Sequence, residues 1–229
     1  MPRFFCYIQF NDLFMKNIFA VYKPSGISSF GMVAKVRRIL GVKKAGHAGT
    51  LDPLARGVLV IGAGREGTKS LSIEVVKEKE YLAEITFGFF SSTDDAEGEK
   101  EAVKCNSIPD LKQIKEIIKN FIGEIMQIPP AFSAIKIGGR RAYKLARSGQ
   151  KPELKPRPVI IKEIEIIDYA YPILRLRLVT GPGVYIRSLA RDIGSSLGVG
   201  GYLSDLERIR VGDFTISDCV DLEKLNLND

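Results

Sequence analysis

Two side chains in this 229-residue chain, Asp52 and His47, stand in settings that could suit reaction chemistry. Asp52 lies in Gly46-His47-Ala48-Gly49-Thr50-Leu51-Asp52-Pro53, whose two glycines let the backbone turn tightly and approach another chain. Pro53 biases Asp52 toward an extended conformation. A carboxylate held there can serve as nucleophile or base, although an isolated Asp-Pro is equally an ordinary turn or helix cap. His47 is the sole histidine, so a Ser-His-Asp triad or a His-rich metal centre could arise only through it. A turn-stabilising histidine is the plain alternative. Tyr81 sits on the apolar face of an alternating run, where by itself it reads as core.

A further pattern mimics a cofactor site. Gly62-Ala63-Gly64-Arg65-Glu66-Gly67 follows an apolar strand, and Glu80 stands near the distance of a ribose-binding acid. The context argues against a dinucleotide. Thr68–Ile73 reads as too polar and short for a helix on a sheet, and Glu80 precedes its strand instead of ending it. Thr68 between Gly67 and Lys69 also spoils a phosphate-binding P-loop. A structural glycine turn is the expectation, with no cofactor and no metal.

The net charge is +7, with 34 basic and 27 acidic residues. Ala131–Pro158 carries eight basic residues and one acid, so this segment accounts for the whole excess and the remainder sums to zero. Such a segment fits a polyanionic partner, most simply nucleic acid, or else a solvated loop. No apolar run approaches the ~18 residues of a membrane span. Cys6, Cys105 and Cys219 are too few and too scattered for a disulfide framework or a CxxC metal site, and free thiols fit a reducing cytosol.

The elements that must position these residues read as follows. Residues 1–16 form neither a signal peptide nor a transit peptide, and are expected to be a leader outside the domain, with Met15 a candidate start. Ile18–Tyr22 is a strand. Ser28 or Ser29 caps a helix through Leu40, which Gly41 ends. Gly46–Pro53 is a loop and Gly57–Gly64 a buried strand. Residues 79–89 alternate, with Tyr81, Ala83, Ile85 and Phe87 on one face. Ser91–Glu99 is an acidic turn. Leu111, Ile114, Ile118 and Phe121 mark a helix, Leu174, Leu176 and Leu178 a strand, and Ile186–Leu197 another helix. Half-exposed antiparallel strands with irregularly interleaved helices favour α+β over doubly wound α/β.

Several segments together resemble one family. Gly46–Leu59 resembles the catalytic motif of the TruB family of tRNA pseudouridine synthases. Tyr22-Lys23-Pro24-Ser25-Gly26-Ile27-Ser28-Ser29 resembles its N-terminal motif, and Lys79-Glu80-Tyr81 the strand bearing its active-site tyrosine. Ile128–Lys136 with Gly139–Tyr143 resembles its RNA-gripping thumb loop. Val184–Leu189 resembles the Tyr-Ile-Arg motif, and Tyr202–Arg208 the segment supplying an active-site leucine. The match spans about residues 17–226.

The resemblance implies a pseudouridine synthase fold: a mixed, mostly antiparallel central sheet flanked by helices, with a thumb insertion at about 128–158. It implies a catalytic domain over 17–229, without the C-terminal PUA domain of many relatives. It implies isomerisation of uridine 55 in the T loop of tRNA by base flipping, with no cofactor. Asp52 would be the essential residue, Arg187 its cationic partner and Tyr81 the stacking ring, worth about 1–3 kcal/mol per base. Leu206 would wall the pocket, while Lys23 and Tyr185 would shape it. His47 would enter the RNA loop, filling the gap left by a flipped base. Lys136, Arg140, Arg141, Lys144 and Arg147 would grip phosphates. Three such contacts would give a salt slope of about −2. Gly138-Gly139 would act as a hinge, making the segment mobile without RNA. Val184 stands where the family more often has threonine. The implied protein is cytoplasmic and binds the T arm without guide RNA, and with no spare apolar patch evident in the sequence a monomer is expected. The alternatives are a non-catalytic tRNA chaperone, and an oxidoreductase built on Gly62–Gly67.

Overall fold

In the computed structural model, residues 17–105 and 107–222 are described. The leader expected at 1–16 lies outside them, as does the end of the resemblance beyond 222. The described residues divide into two compact units, one of 17–82 with 206–222 and the other of 83–205.

In the first unit, an apolar run makes β1 (Ile18–Lys23), and Ser28 caps helix α1 (Ser29–Ile39), its hydroxyl accepting from the Gly31 amide at 3.0 Å. Helix α1 buries Met32, Val33 and Val36 against Phe19, Val21, Leu59 and Ile61. β2 (Ala45–His47) pairs antiparallel with β3 (Arg56–Ala63), so His47 stands on a short strand where a loop was expected. β3 also pairs antiparallel with β1, and reaches fully buried positions from Val58 to Ile61.

Directly after β3, helix α2 (Gly64–Val75) corrects the expectation of a bare glycine turn. Its buried positions are Gly67, Leu71 and Glu74, at helical spacing. So narrow a face needs few apolar residues, which is why the segment looked too polar. The glycines serve close packing: a Cβ at Gly62 would lie 2.3 Å from the Gly67 carbonyl oxygen, and one at Gly67 would lie 2.1 Å from that of Asn17. Glu80 is no ribose ligand, because its carboxylate accepts from Arg210 Nε at 2.9 Å.

β4 (Lys79–Phe87) carries the chain into the second unit, with Tyr81, Ala83, Ile85 and Phe87 buried as the alternation predicts. There β5 (Phe89–Ser91) and β6 (Lys100–Ala102) flank the acidic turn. Helix α3 (Leu111–Lys119) starts with a capping box from Asp110 and Gln113 and buries Ile114 and Ile118. β7 (Gly123–Gln127) follows. The basic segment folds into β8 (Lys136–Ile137), β9 (Arg140–Arg141) and helix α4 (Ala142–Arg147). Gly138 and Gly139, with φ of 54° and 81°, form the two-residue turn of that hairpin.

The long strand β10 (Arg157–Ala170) lies between β7 and β11 (Ile173–Thr180), antiparallel to both. Helix α5 (Ile186–Ser196) comes next. β12 (Gly201–Val211) returns the chain to the first unit, where Glu207 and Arg208 pair in parallel register with Arg56 and Gly57. β13 (Phe214–Thr215) and β14 (Cys219–Val220) close it, β14 lying parallel to β1. Parallel and antiparallel pairs with packed helices bear out α+β.

Candidate active site

Five of the expected site residues lie in the first unit: Lys23, His47, Asp52, Tyr81 and Leu206. The loop bearing Asp52 is held from both sides. The Ser29 hydroxyl donates to the Leu51 carbonyl and accepts from the Leu51 amide, both at 2.9 Å. The Pro53 carbonyl accepts from the Gly26 amide at 2.8 Å, and the Leu54 carbonyl from Ser25 Oγ at 2.8 Å. Leu51 and Ala55 are buried on either side, while Asp52 keeps partial exposure. The motif Lys23–Ser29 is therefore the frame of the aspartate loop, which its own sequence did not reveal.

Lys23 is fully buried and donates through Nζ to the carbonyls of Ile27 at 2.7 Å and Pro24 at 3.0 Å. Burial lowers its pKa to about 8; the nearby Asp52 carboxylate opposes that shift and the Arg208 guanidinium adds to it. Lys79, on the strand of Tyr81, is buried likewise, caps the carbonyls of Val75 and Lys77, and is also lowered to about 8 by desolvation. His47 is pushed below its ordinary pKa by burial first and by Arg208 second. Its ring meets the exposed Phe30 edge-on, with centroids 5.6 Å apart. Tyr81 is buried, with Arg208 as a charged neighbour. Leu206 is buried two residues earlier on the same strand as Arg208.

Arg187 and Tyr185 lie in the second unit, at the start of α5. Arg187 is 5% exposed, and its Nη1 and Nη2 donate at 3.0 Å to the carbonyls of Thr93 and Phe132. Its guanidinium also lies 3.6 Å from the buried Asp95 carboxylate. Removing Arg187 would leave that carboxylate without this cation, a loss of roughly 3–5 kcal/mol. Gln127 fixes Tyr185 by accepting from its amide at 2.9 Å and donating to its carbonyl at 3.1 Å. The Arg157 guanidinium lies 5.1 Å from the centre of the Tyr185 ring and donates to the Gly183 carbonyl. Arg157 thus belongs to the fold more than to the basic arm.

Lys136, Arg140, Arg141, Lys144 and Arg147 are all exposed or half-exposed. Lys136 faces Arg141 across the hairpin, while Arg147 stacks on Tyr143 at 5.7 Å. The arm is rooted by Tyr143, whose amide donates to the Ser133 carbonyl at 3.0 Å.

Three features escaped sequence reasoning. Asp95 was lost in a run of acids that looked merely solvated. Arg208, fully buried, was lost in the late motif. The third is a second basic surface: Arg37, Arg38, Lys43 and Lys44 keep solvent exposure, and residues 29–50 contain no acid. Counting only the neutral remainder of the chain concealed it.

Residues 37–186 match the TruB family pseudouridylate synthase N-terminal domain, and residues 187–228 match the tRNA pseudouridylate synthase B C-terminal domain. The chain belongs to the TruB family. It is 46% identical over 218 residues to tRNA pseudouridine synthase B of Corynebacterium diphtheriae, covering 91% of this chain and 71% of the relative. The like-named protein of Parabacteroides distasonis is 42% identical over 221 residues, covering 94% of each. Among solved structures, one titled as a Cbf5-Nop10-Gar1 complex aligns with a TM-score of 0.68 and 29% identity, over 91% of this chain and 52% of that one. An archaeal box H/ACA sRNP Nop10-Cbf5 complex gives 0.69 and 26%, over 99% and 58%. The TruB chain has the pseudouridine synthase fold expected of it. No helix among its described residues is long and apolar enough to cross a membrane.

Proposed function

We propose that this chain isomerises uridine 55 in the T loop of tRNA to pseudouridine. The observation that carries the reading is the aspartate loop itself. Asp52 is presented on a backbone clamped by Ser29, Ser25 and Gly26, with the buried Lys23 cation acting on its carboxylate. The reaction detaches uracil from its sugar, turns it and rejoins it through carbon. Asp52 acts at the sugar, and both nucleophilic attack and proton abstraction suit a carboxylate there. Tyr81 stacks on the flipped base and Leu206 walls it; Arg187 and Tyr185 keep the roles that the family resemblance implies. His47, with Phe30 at its edge, fills the gap in the RNA stack, since flipping costs a few kcal/mol.

The cations of the hairpin arm bind phosphates, and Arg37, Arg38, Lys43 and Lys44 add a second basic surface. The protein works as a cytoplasmic monomer without guide RNA, in keeping with its greater identity to the bacterial enzymes than to the H/ACA proteins.

The test is tritium release from tRNA carrying 5-tritiated uridine. The wild type should release tritium from position 55, and Asp52→Asn should bind tRNA yet release none. Undiminished activity in Asp52→Asn would point to the chaperone reading, and no release by the wild type on any tRNA would end the proposal.

A further inference from the structure

We infer that Arg208 is a positioning residue for this reaction, one guanidinium that fixes the loop carrying Asp52 while standing beside the Tyr81 side chain. The inference rests on the proposed role of Tyr81 at the target base. Arg208 is 1% exposed on β12. Its Nε donates to the Val58 carbonyl at 2.8 Å, and its Nη2 donates to the Gly49 carbonyl at 3.1 Å. The Tyr81 phenol is a near neighbour of the guanidinium and favours its charged form. Val58 follows the aspartate motif on β3, Gly49 lies three residues before Asp52, and Tyr81 is on β4. One side chain thus meets three separate parts of the first unit.

Every one of these partners is neutral. A buried charge that donates to neutral carbonyls is an unfavourable way to fill space, and an apolar side chain of similar volume would avoid the desolvation. What the guanidinium adds is direction: a rigid plane of donors with fixed angles between them.

The backbone around it is shaped to admit it. Gly57 pairs with Arg208, has a φ of 112°, and a Cβ there would lie 2.1 Å from the Arg208 carbonyl oxygen. Gly49 has a φ of 84°, and its Cβ would lie 3.5 Å from Nη1. The bare Gly57 therefore lets β3 lie directly against the β12 backbone at position 208. Burial lowers the pKa values of Lys23, His47 and Lys79, and the Arg208 charge adds to each shift.

The experiment compares wild type, Arg208→Met and Arg208→Lys in single-turnover tritium release and tRNA filter binding. Each protein is also made with 3-fluorotyrosine at position 81 for fluorine NMR, and circular dichroism checks the fold. Arg208→Met should slow the single turnover about 100-fold, the scale of a small misplacement of reacting groups, with tRNA affinity unchanged. Arg208→Lys keeps the charge but loses the fork, and should be nearly as slow. The fluorine resonance at position 81 should move or broaden in both. Wild-type rates in either variant, a loss confined to tRNA affinity, or an unaltered resonance would overturn the inference. If Arg208→Met does not fold, the same three readouts on Arg208→Lys decide. A wild type that releases no tritium defeats the functional proposal itself, whereas an active wild type with an equally active Arg208→Met defeats this inference alone.

Discussion

Adjacent serines, Ser28 and Ser29, should respond very differently to the same substitution. Ser28 caps helix α1 with a single bond to the Gly31 amide. Ser28→Ala therefore costs about 1 kcal/mol, as is usual for a lost cap. Ser29 instead satisfies both the amide and the carbonyl of Leu51, a residue only 3% exposed. Each buried backbone group left without a partner costs about 1–3 kcal/mol. Ser29→Ala removes the partner of two, partly offset by about 0.5 kcal/mol from alanine's better helix propensity. The net expectation is a loss of roughly 2–5 kcal/mol. For a chain of this size each kcal/mol lowers Tm by about 2–4 °C, so Ser29→Ala should melt about 4–20 °C lower and Ser28→Ala about 2–4 °C lower. The loop loosened in Ser29→Ala begins one residue before Asp52. Its single-turnover rate should fall about tenfold or more at unchanged tRNA affinity, as for other small misplacements, while Ser28→Ala keeps the wild-type rate. Thermal melts and tritium release measure the two effects. Equal melting losses in the two variants, or a wild-type rate in Ser29→Ala, would refute the claim that Ser29 anchors the aspartate loop.

Other expectations concern the buried lysines, the RNA-facing charges and the tightest glycine. Lys23 and Lys79 titrate near 8 in the folded protein against an ordinary 10.5. Between those values the unfolded chain holds protons that the folded one has shed. Stability should therefore rise with pH across that window and be lost as pH falls back through 8. Each lysine contributes at most about 3 kcal/mol, so Lys79→Met should flatten the rise seen in urea midpoints between about pH 7.5 and 10. Arg140→Ala with Arg141→Ala should reduce the salt slope of tRNA binding by about 1–2, and Lys43→Ala with Lys44→Ala should do the same, as filter binding across a salt series will show. Gly57→Ala should yield no folded protein by circular dichroism, because its Cβ meets the Arg208 carbonyl oxygen at a φ of 112°.

Much of the chemistry is written locally. The aspartate motif, the alternation around Tyr81 and the eight cations of 131–158 depend on residue type and near spacing, so the ring's strand, the loop and the basic arm are legible in the sequence. Ordered motifs make the family legible as well. Other features are not local. Helix α2 is hidden because only Gly67, Leu71 and Glu74 face inward, and polar residues on the remaining turns disguise it. The long β10 escapes because much of it is exposed, so its pattern lacks a continuous apolar face.

What the sequence by itself determined is therefore which groups are available: a carboxylate in a glycine-rich loop, a tyrosine on an apolar strand face, and a cluster of cations. What only the tertiary structure decided is which of them are held, and by what. Ser29 and Leu51 are 22 residues apart, and Gly49 and Arg208 are 159 apart. Asp95 meets Arg187 only once its turn folds back on helix α5. Hydrogen bonds and ion pairs act over a few ångströms of space, and their cost of burial depends on what surrounds them. A one-dimensional pattern carries neither quantity, so the framework that aims the chemistry became visible only in three dimensions.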